Sequence, residues 1–316
     1  MGLRDDILEL SRQQQIGSLS PFLSDVLDQA VLAEHFSGRP KLIKINEFII
    51  GRTRLYGEKS GRQVVVLGMS GGVDSALTAA IFEKAGYHVV GVTMPIDQDP
   101  VETERGVEAC RALGIEHRHI DVSPLYAATV EAQLLLDSAL TGPGGDRTVR
   151  VRLGNIRARL RMVTLYNLAS ARGGMVASTD NLSELGAGFW TLHGDVGDFS
   201  PIQALLKSWE VPSLAQLNRV PESTVRATPT DGLGIAAGDE AQLGCSYLEW
   251  DLMVYALGNG LDIPAGEDRV RSAVMSRMQA TWFKRRNPLR VPHPLEDRYA
   301  MIDEIDRRYF VPEAFQ

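Results

Sequence analysis

The sequence predicts an α/β fold, a doubly wound parallel sheet flanked by helices with helical additions at both ends, and three observations carry that expectation. Val64-Val65-Val66-Leu67 is a β-branched, apolar run that meets a small-residue turn, Gly68-Met69-Ser70-Gly71-Gly72. A helical pattern then begins, with Val73, Ala76, Leu77, Ala80 and Ile81 on one face. Gly86–Pro95 and Ile115–Asp121 repeat the buried-strand composition with helical stretches between them. Such alternation builds a parallel sheet whose strands carry ligands at their carboxyl ends.

Taken in order, residues 1–40 mix polar and apolar side chains, with Ser18-Leu19-Ser20-Pro21 and Ser37-Gly38-Arg39-Pro40 as breakers. They read as short helices in a loose N-terminal arm. Lys41–Tyr56 places Leu42, Ile45, Ile49 and Ile50 near helical spacing, which predicts a helix packed on the sheet. Cys110–Gly114 ends the helix between the second and third strands, and Met94-Pro95 falls at a strand's carboxyl end, beside the expected adenine position. His88, His117 and His119 lie in or beside strands and read as packing or solvated residues. Thr141–Arg147 is a loop by composition. The helix Asn155–Val163 sets Ile156, Leu160, Val163 and Asn167 on one face and Arg157 and Arg161 on another. Arg159 sits at the edge of the apolar face, where solvation and a fixed anionic partner are both open readings.

Gly174–Ser178 is a short strand running into Thr179-Asp180-Asn181-Leu182-Ser183-Glu184, again at a carboxyl end. Glu184, Asp195 and Asp198 lie between two glycine-rich turns, and Lys207 is expected in the helix that follows. Residues 41–250 are expected to form one domain and 251–316 a helical segment packed on it.

The chain has 316 residues, enough for a sizeable core, and a formal charge of −7. That charge gives no general nucleic-acid surface, and a polyanionic substrate needs a local positive pocket. Cys110 and Cys245 are far apart, follow no metal-ligand spacing and read as buried thiols in a reducing compartment. The N-terminus lacks a basic region followed by an apolar core, and no run approaches a membrane span. The expectation is a cytoplasmic enzyme without a membrane partner.

The turn itself is the most informative stretch. Gly71 and Gly72 let backbone pass close to a ligand, Ser70 and Ser75 add hydroxyls, and the helix after them presents free amides and a positive dipole end to an anion. It is not a Walker A loop, because no Gly-Lys-Ser/Thr follows, and it lacks the three-glycine dinucleotide fingerprint. An Asp in a phosphate loop repels the ligand unless a divalent cation lies between them, so Asp74 implies magnesium. Ser70-Gly71-Gly72-Val73-Asp74-Ser75 resembles the PP-loop of the ATP pyrophosphatases, which cleave ATP between the α- and β-phosphates and share an adenine nucleotide α-hydrolase-like sheet.

Further motifs from about Lys41 to Pro292 make the chain similar to the NAD synthetases of the ammonia-dependent type. That resemblance implies ATP, deamido-NAD and ammonia as substrates, magnesium as cofactor and a homodimer. It assigns ATP to Gly68, Ser70, Gly71, Gly72, Val73, Asp74, Ser75, Met94, Thr179, Lys207 and Thr230. Magnesium falls to Asp74 and Glu184, and catalysis to Asp74 and Lys207. Deamido-NAD falls to Arg159, twenty residues before Thr179, to Asp198, nine before Lys207, and to Lys284. Ala227-Thr228-Pro229-Thr230-Asp231-Gly232-Leu233 and Asp239–Tyr247 match two later elements. There are two departures: Leu192 stands where the relatives have a substrate-contacting lysine, and Phe283 where they have a histidine. Both fall on the dinucleotide side, which keeps a related adenylating ligase for another carboxylic acid as the alternative, and a regulatory nucleotide binder as a third reading. About sixty residues precede the loop and contain no Cys, so no glutaminase nucleophile is expected there.

Overall fold

Strands β1 (Val64–Gly68), β2 (His88–Thr93), β3 (Glu116–His119) and β4 (Met175–Val176) pair in parallel, in the order β3-β2-β1-β4. The computed structural model describes residues 2–12, 19–141, 146–230, 238–288, 298–311 and 313–315. Val66 lies opposite Val90 on one side and Val176 on the other, so β1 is central. The chain winds outward from β1 to β3 and then returns across β1 to β4. The order therefore reverses beside the carboxyl end of β1, where such sheets bind their ligands.

Side chains alternate across the sheet, and the two faces bury different cores. Val65 and Leu67 face one core, and Val66 faces another with Val90, Val92 and Val176. Helices α1 (Leu3–Arg12), α2 (Pro21–Leu32), α3 (Arg39–Ser60), α4 (Val73–Lys84) and α5 (Pro100–Leu113) precede β3. Then come α6 (Ser123–Leu136), α7 (Arg147–Ala171), α8 (Leu182–Ala187), α9 (Glu210–Leu217) and α10 (Glu222–Val225). The series ends with α11 (Asp239–Leu243), α12 (Tyr247–Gly258), α13 (Asp268–Thr281) and α14 (Arg298–Tyr309). Leu77 and Ile81 of α4, Leu214 of α9 and Trp250 of α12 fill the first core; Met162, Leu165 and Ala169 of α7 fill the second.

Three expectations need correction. The N-terminal arm is not loose: Leu23, Val26, Leu27 and Ala30 of α2 are buried in the main core, with Ser20 capping the helix and Pro21 starting it. Helix α7 begins at Arg147 and turns a different face inward. Gly154, Ala158, Met162, Leu165 and Ala169 are buried, while Val163 is 63% exposed and Asn167 exposed. Ala158 is small where the 191–195 loop comes close; a Cβ on Gly194 would meet Ala158 Cβ at 3.0 Å. Lys207 lies in a turn before α9, not in a helix. Residues 142–145 of the expected loop lie outside the described residues, as do Asp231, Gly232 and Leu233. Cys110 and Cys245 are free and buried.

Candidate active site

The loop between β1 and α4 is braced by its own serines. Ser75 Oγ donates to Gly72 O at 3.0 Å and lies 3.2 Å from Ser70 Oγ, and Gly72 N donates to Ser70 Oγ at 3.3 Å. No side chain caps the start of α4, which leaves its first amides for a ligand. Gly71 has φ +85°, and a Cβ there would lie 2.1 Å from Glu102 O, so α5 packs backbone-to-backbone on the loop and only glycine fits.

Asp74, in the first turn of α4, meets side chains from far along the chain. Asn181 Nδ2 donates to Asp74 Oδ1 at 2.9 Å, and Lys207 Nζ donates to Asp74 Oδ2. Glu184 Oε1 is 4.0 Å from the same ammonium. Asn181 also caps α8 through a capping box with Glu184, so one residue fixes both carboxylates. Burial disfavours the Lys207 ammonium, but Asp74 and then Glu184 outweigh it and hold the group above its ordinary value. Burial and the adjacent Asp74 push the Glu184 carboxyl well above the usual range. Tyr247 places its ring 5.7 Å from Lys207 Nζ and donates to Asp239 Oδ2 at 3.2 Å.

Beneath this cluster a buried carboxylate fixes two backbones. Asp251 of α12 accepts from Ser183 Oγ at 2.6 Å and Ser208 Oγ at 2.5 Å, and Lys207 N donates to Ser183 Oγ at 3.0 Å. Asp180, equally buried, accepts from Ser178 Oγ at 2.6 Å and Gln203 Nε2 at 2.5 Å, tying β4 to the segment before Lys207.

A cavity of about 500 Å³ opens over the loop. Gly68, Ser70, Gly72, Val73, Asp74, Ser75, Met94, Thr179, Glu184, Lys207, Thr230 and Lys284, all among the candidate residues, line it together. Gly71 backs the loop instead of lining the cavity, and Arg159 and Asp198 lie outside it. Arg159 is exposed and donates from Nε to Leu192 O at 3.2 Å. Asp198 accepts from Tyr166 Oη and from Val176 N, each at 2.9 Å. Lys284 donates to Gly188 O at 2.8 Å and to Trp190 O; burial, then Arg277, bring its ammonium down to about 8. Thr230 donates to Glu102 Oε1 at 2.7 Å.

The sequence analysis gives no role to Asn181, Asp239 or Tyr247, though all three fall in motifs, and does not reach Asp251 at all. Asn181 sits inside a quoted motif and carries a capping signature, so its helix-start role was legible. The tie to Asp74 spans 107 residues and was not. No group of three or more His, Cys, Asp or Glu placed to hold a metal occurs among the described residues. Asp74 and Glu184 both approach Lys207 Nζ, and two carboxylates so close suit a hard cation that takes its other ligands from phosphate oxygens and water.

A model of the NAD synthase family matches residues 45–288. An NH(3)-dependent NAD(+) synthetase of Methanoregula boonei is 36% identical over 231 residues, covering 72% of this chain and 87% of its own. One from Campylobacter jejuni serotype O:6 is 31% identical over 73% of this chain and 91% of its own. Among solved structures, an NMN synthetase from Francisella tularensis superposes with TM-score 0.69 at 26% identity, covering 80% of this chain and 99% of its own. The NH3-dependent NAD synthetase of C. jejuni gives TM-score 0.61 at 28% identity, covering 81% and 99%. The chain belongs to the NAD synthase family.

Proposed function

We propose that the protein is an ammonia-dependent NAD synthetase, amidating the nicotinate carboxylate of deamido-NAD with consumption of ATP to AMP and pyrophosphate. The observation that carries this reading is the meeting of Asp74, Glu184 and Lys207, which line the cavity at the Ser-Gly-Gly loop, with the buried Asn181 holding Asp74 behind them.

A carboxylate is a poor acyl donor because oxide is a bad leaving group. Attack of the carboxylate oxygen on the α-phosphorus forms a mixed anhydride with AMP, and the α–β bridging oxygen leaves on pyrophosphate. Ammonia then adds to the activated carbonyl, AMP departs and the amide nitrogen loses a proton. The loop amides and the Lys207 ammonium meet the charge growing on the leaving diphosphate, and Met94 lines the same cavity. Asp74 and Glu184 would hold magnesium, which when bound supplies charge neutralisation at the phosphates. Arg159 and Asp198 lie outside the cavity; in this reading a second copy of the chain, in a homodimer, completes a dinucleotide site at them.

A second reading is favoured by two observations: Leu192 replaces the expected lysine, and the likeness to an NMN synthetase is as good as that to an NAD synthetase. In it the acid is the mononucleotide. Purified protein given ATP, ammonium and either acid separates the two by chromatography of the products. The first reading predicts NAD with AMP and pyrophosphate, at an efficiency for deamido-NAD at least about tenfold above the mononucleotide, roughly 1.4 kcal/mol of discrimination. The opposite preference selects the second reading, and ADP with phosphate excludes both.

A further inference from the structure

Arg105, on α5, belongs to no motif used so far. Its Nε donates to Gly71 O at 3.2 Å, and its side chain lines the cavity beside Ser70, Gly72 and Asp74. Helix α5 is pressed onto the loop at two points where only glycine fits: Gly71 against Glu102 O, and Gly106, whose added Cβ would stand 2.5 Å from Met69 O. The base of Arg105 is therefore fixed relative to the phosphate loop.

Of the other cations lining the cavity, Lys207, Arg161, Arg277 and Lys284 are held by protein oxygens, and Arg147 stands at the start of α7. Lys207 is paired with Asp74 and close to Glu184. Arg161 holds Met94 O and Gln98, Arg277 holds Ala187 O, and Lys284 holds Gly188 O and Trp190 O. Arg105 makes no ion pair with a carboxylate among the described residues, and its one hydrogen bond uses Nε. Its two terminal nitrogens, four N–H donors, are left beside the loop. A guanidinium so presented matches phosphate oxygens in a bidentate fork.

We propose that Arg105 is a second cationic grip on the β- and γ-phosphates, acting on the leaving diphosphate from α5 while Lys207 acts from the turn before α9. This deepens the ligase reading and rests on it. When the α–β bond breaks, the electron pair goes to the bridging oxygen, and Arg105 bears on the product that carries it. The same guanidinium closes the loop through Gly71 O, so it couples loop shape to phosphate charge.

Isothermal titration of ATP, inorganic pyrophosphate and AMP, at fixed magnesium, into wild type, Arg105→Gln and Arg105→Lys tests this. Wild type that binds ATP but not pyrophosphate at millimolar concentration speaks against the ligase reading itself. Given wild-type binding, Arg105→Gln is expected to weaken pyrophosphate and ATP by about tenfold or more, with AMP within about twofold. Arg105→Lys is expected to recover most of the pyrophosphate affinity. Unchanged pyrophosphate binding in Arg105→Gln overturns the proposal. So does an equal loss of AMP, which means a deformed loop, or a Lys variant no better than Gln, which removes charge from the cause.

Discussion

At the scale of single residues, charges set within a few ångströms of each other define the site. Asp74→Asn keeps the size and the hydrogen-bonding capacity toward Asn181 but removes the charge that pairs Lys207. Turnover is expected to fall at least about a hundredfold, with the far-ultraviolet circular dichroism unchanged, since Glu184 remains 4.0 Å from the ammonium. Steady-state kinetics checks it, and undiminished turnover removes Asp74 from the chemistry. Asp251 touches no substrate-facing atom; it positions Lys207 and α8 through Ser183 and Ser208. Burial raises its carboxyl to about 6, so the charged form is already costly there. Asp251→Ala leaves two buried hydroxyls without their acceptor and is expected to cost about 2–4 kcal/mol by chemical denaturation. A smaller loss than about 1 kcal/mol would mean those serines find other partners. The sequence announced Asp74, Glu184 and Lys207 through their motifs. It was silent on Asp251, because a buried acid in an apolar helix carries no local mark of what it holds.

At the scale of elements, the strands and the loop were legible because their signals are local: β-branched runs, alternation and glycines at the turn. The face of α7 was only partly legible: Ile156 and Leu160 pack against the second core, but Val163 is exposed, and Ala158 is buried where Gly194 comes close. The packing of α5 on the loop gives a sharp expectation. Gly71→Ala combines a left-handed φ with a Cβ against Glu102 O, and relief requires the loop or α5 to move. ATP affinity should drop by about a hundredfold and stability by roughly 2–4 kcal/mol, both read by titration and denaturation. Wild-type affinity in that variant would show that the loop does not bind phosphate in this shape. At the other end of the sheet, Arg172, which caps α7, and His88 and Arg118 surround Glu116 of β3. Arg172, then His88, hold its carboxyl down to about 2. A depressed acid contributes stability that is complete above its unfolded value near 4.5 and is lost as pH falls toward about 2. The difference between wild type and Glu116→Gln should therefore be about 1 kcal/mol at neutral pH, discounted for partial exposure, and should shrink below about pH 4.5. A difference that grows on acidification would reverse the sign of this argument.

At the scale of the whole molecule, the reversal of strand order beside β1 gathers residues 70–75, 177–184, 207 and 228–230 at one end of the sheet. Long-range convergence of that kind is what a reading of one sequence reaches only through family motifs. Nothing near Lys207 in sequence names Asp74, 133 residues earlier, as its partner. The dinucleotide side was less legible, and Arg159 and Asp198 lie outside the cavity that the ATP residues line. If a second copy completes that side, sedimentation equilibrium at micromolar concentration should give about twice 34.6 kDa, and a monomer active on deamido-NAD would refute it. The most direct test of the central claim is a crystal structure with ATP and magnesium bound. The β- and γ-phosphates are expected against the amides of Ser70–Ser75 and within hydrogen-bond reach of Lys207 Nζ, with the cation on Asp74 and Glu184. A triphosphate lodged elsewhere, or those two carboxylates distant from the metal, would contradict it.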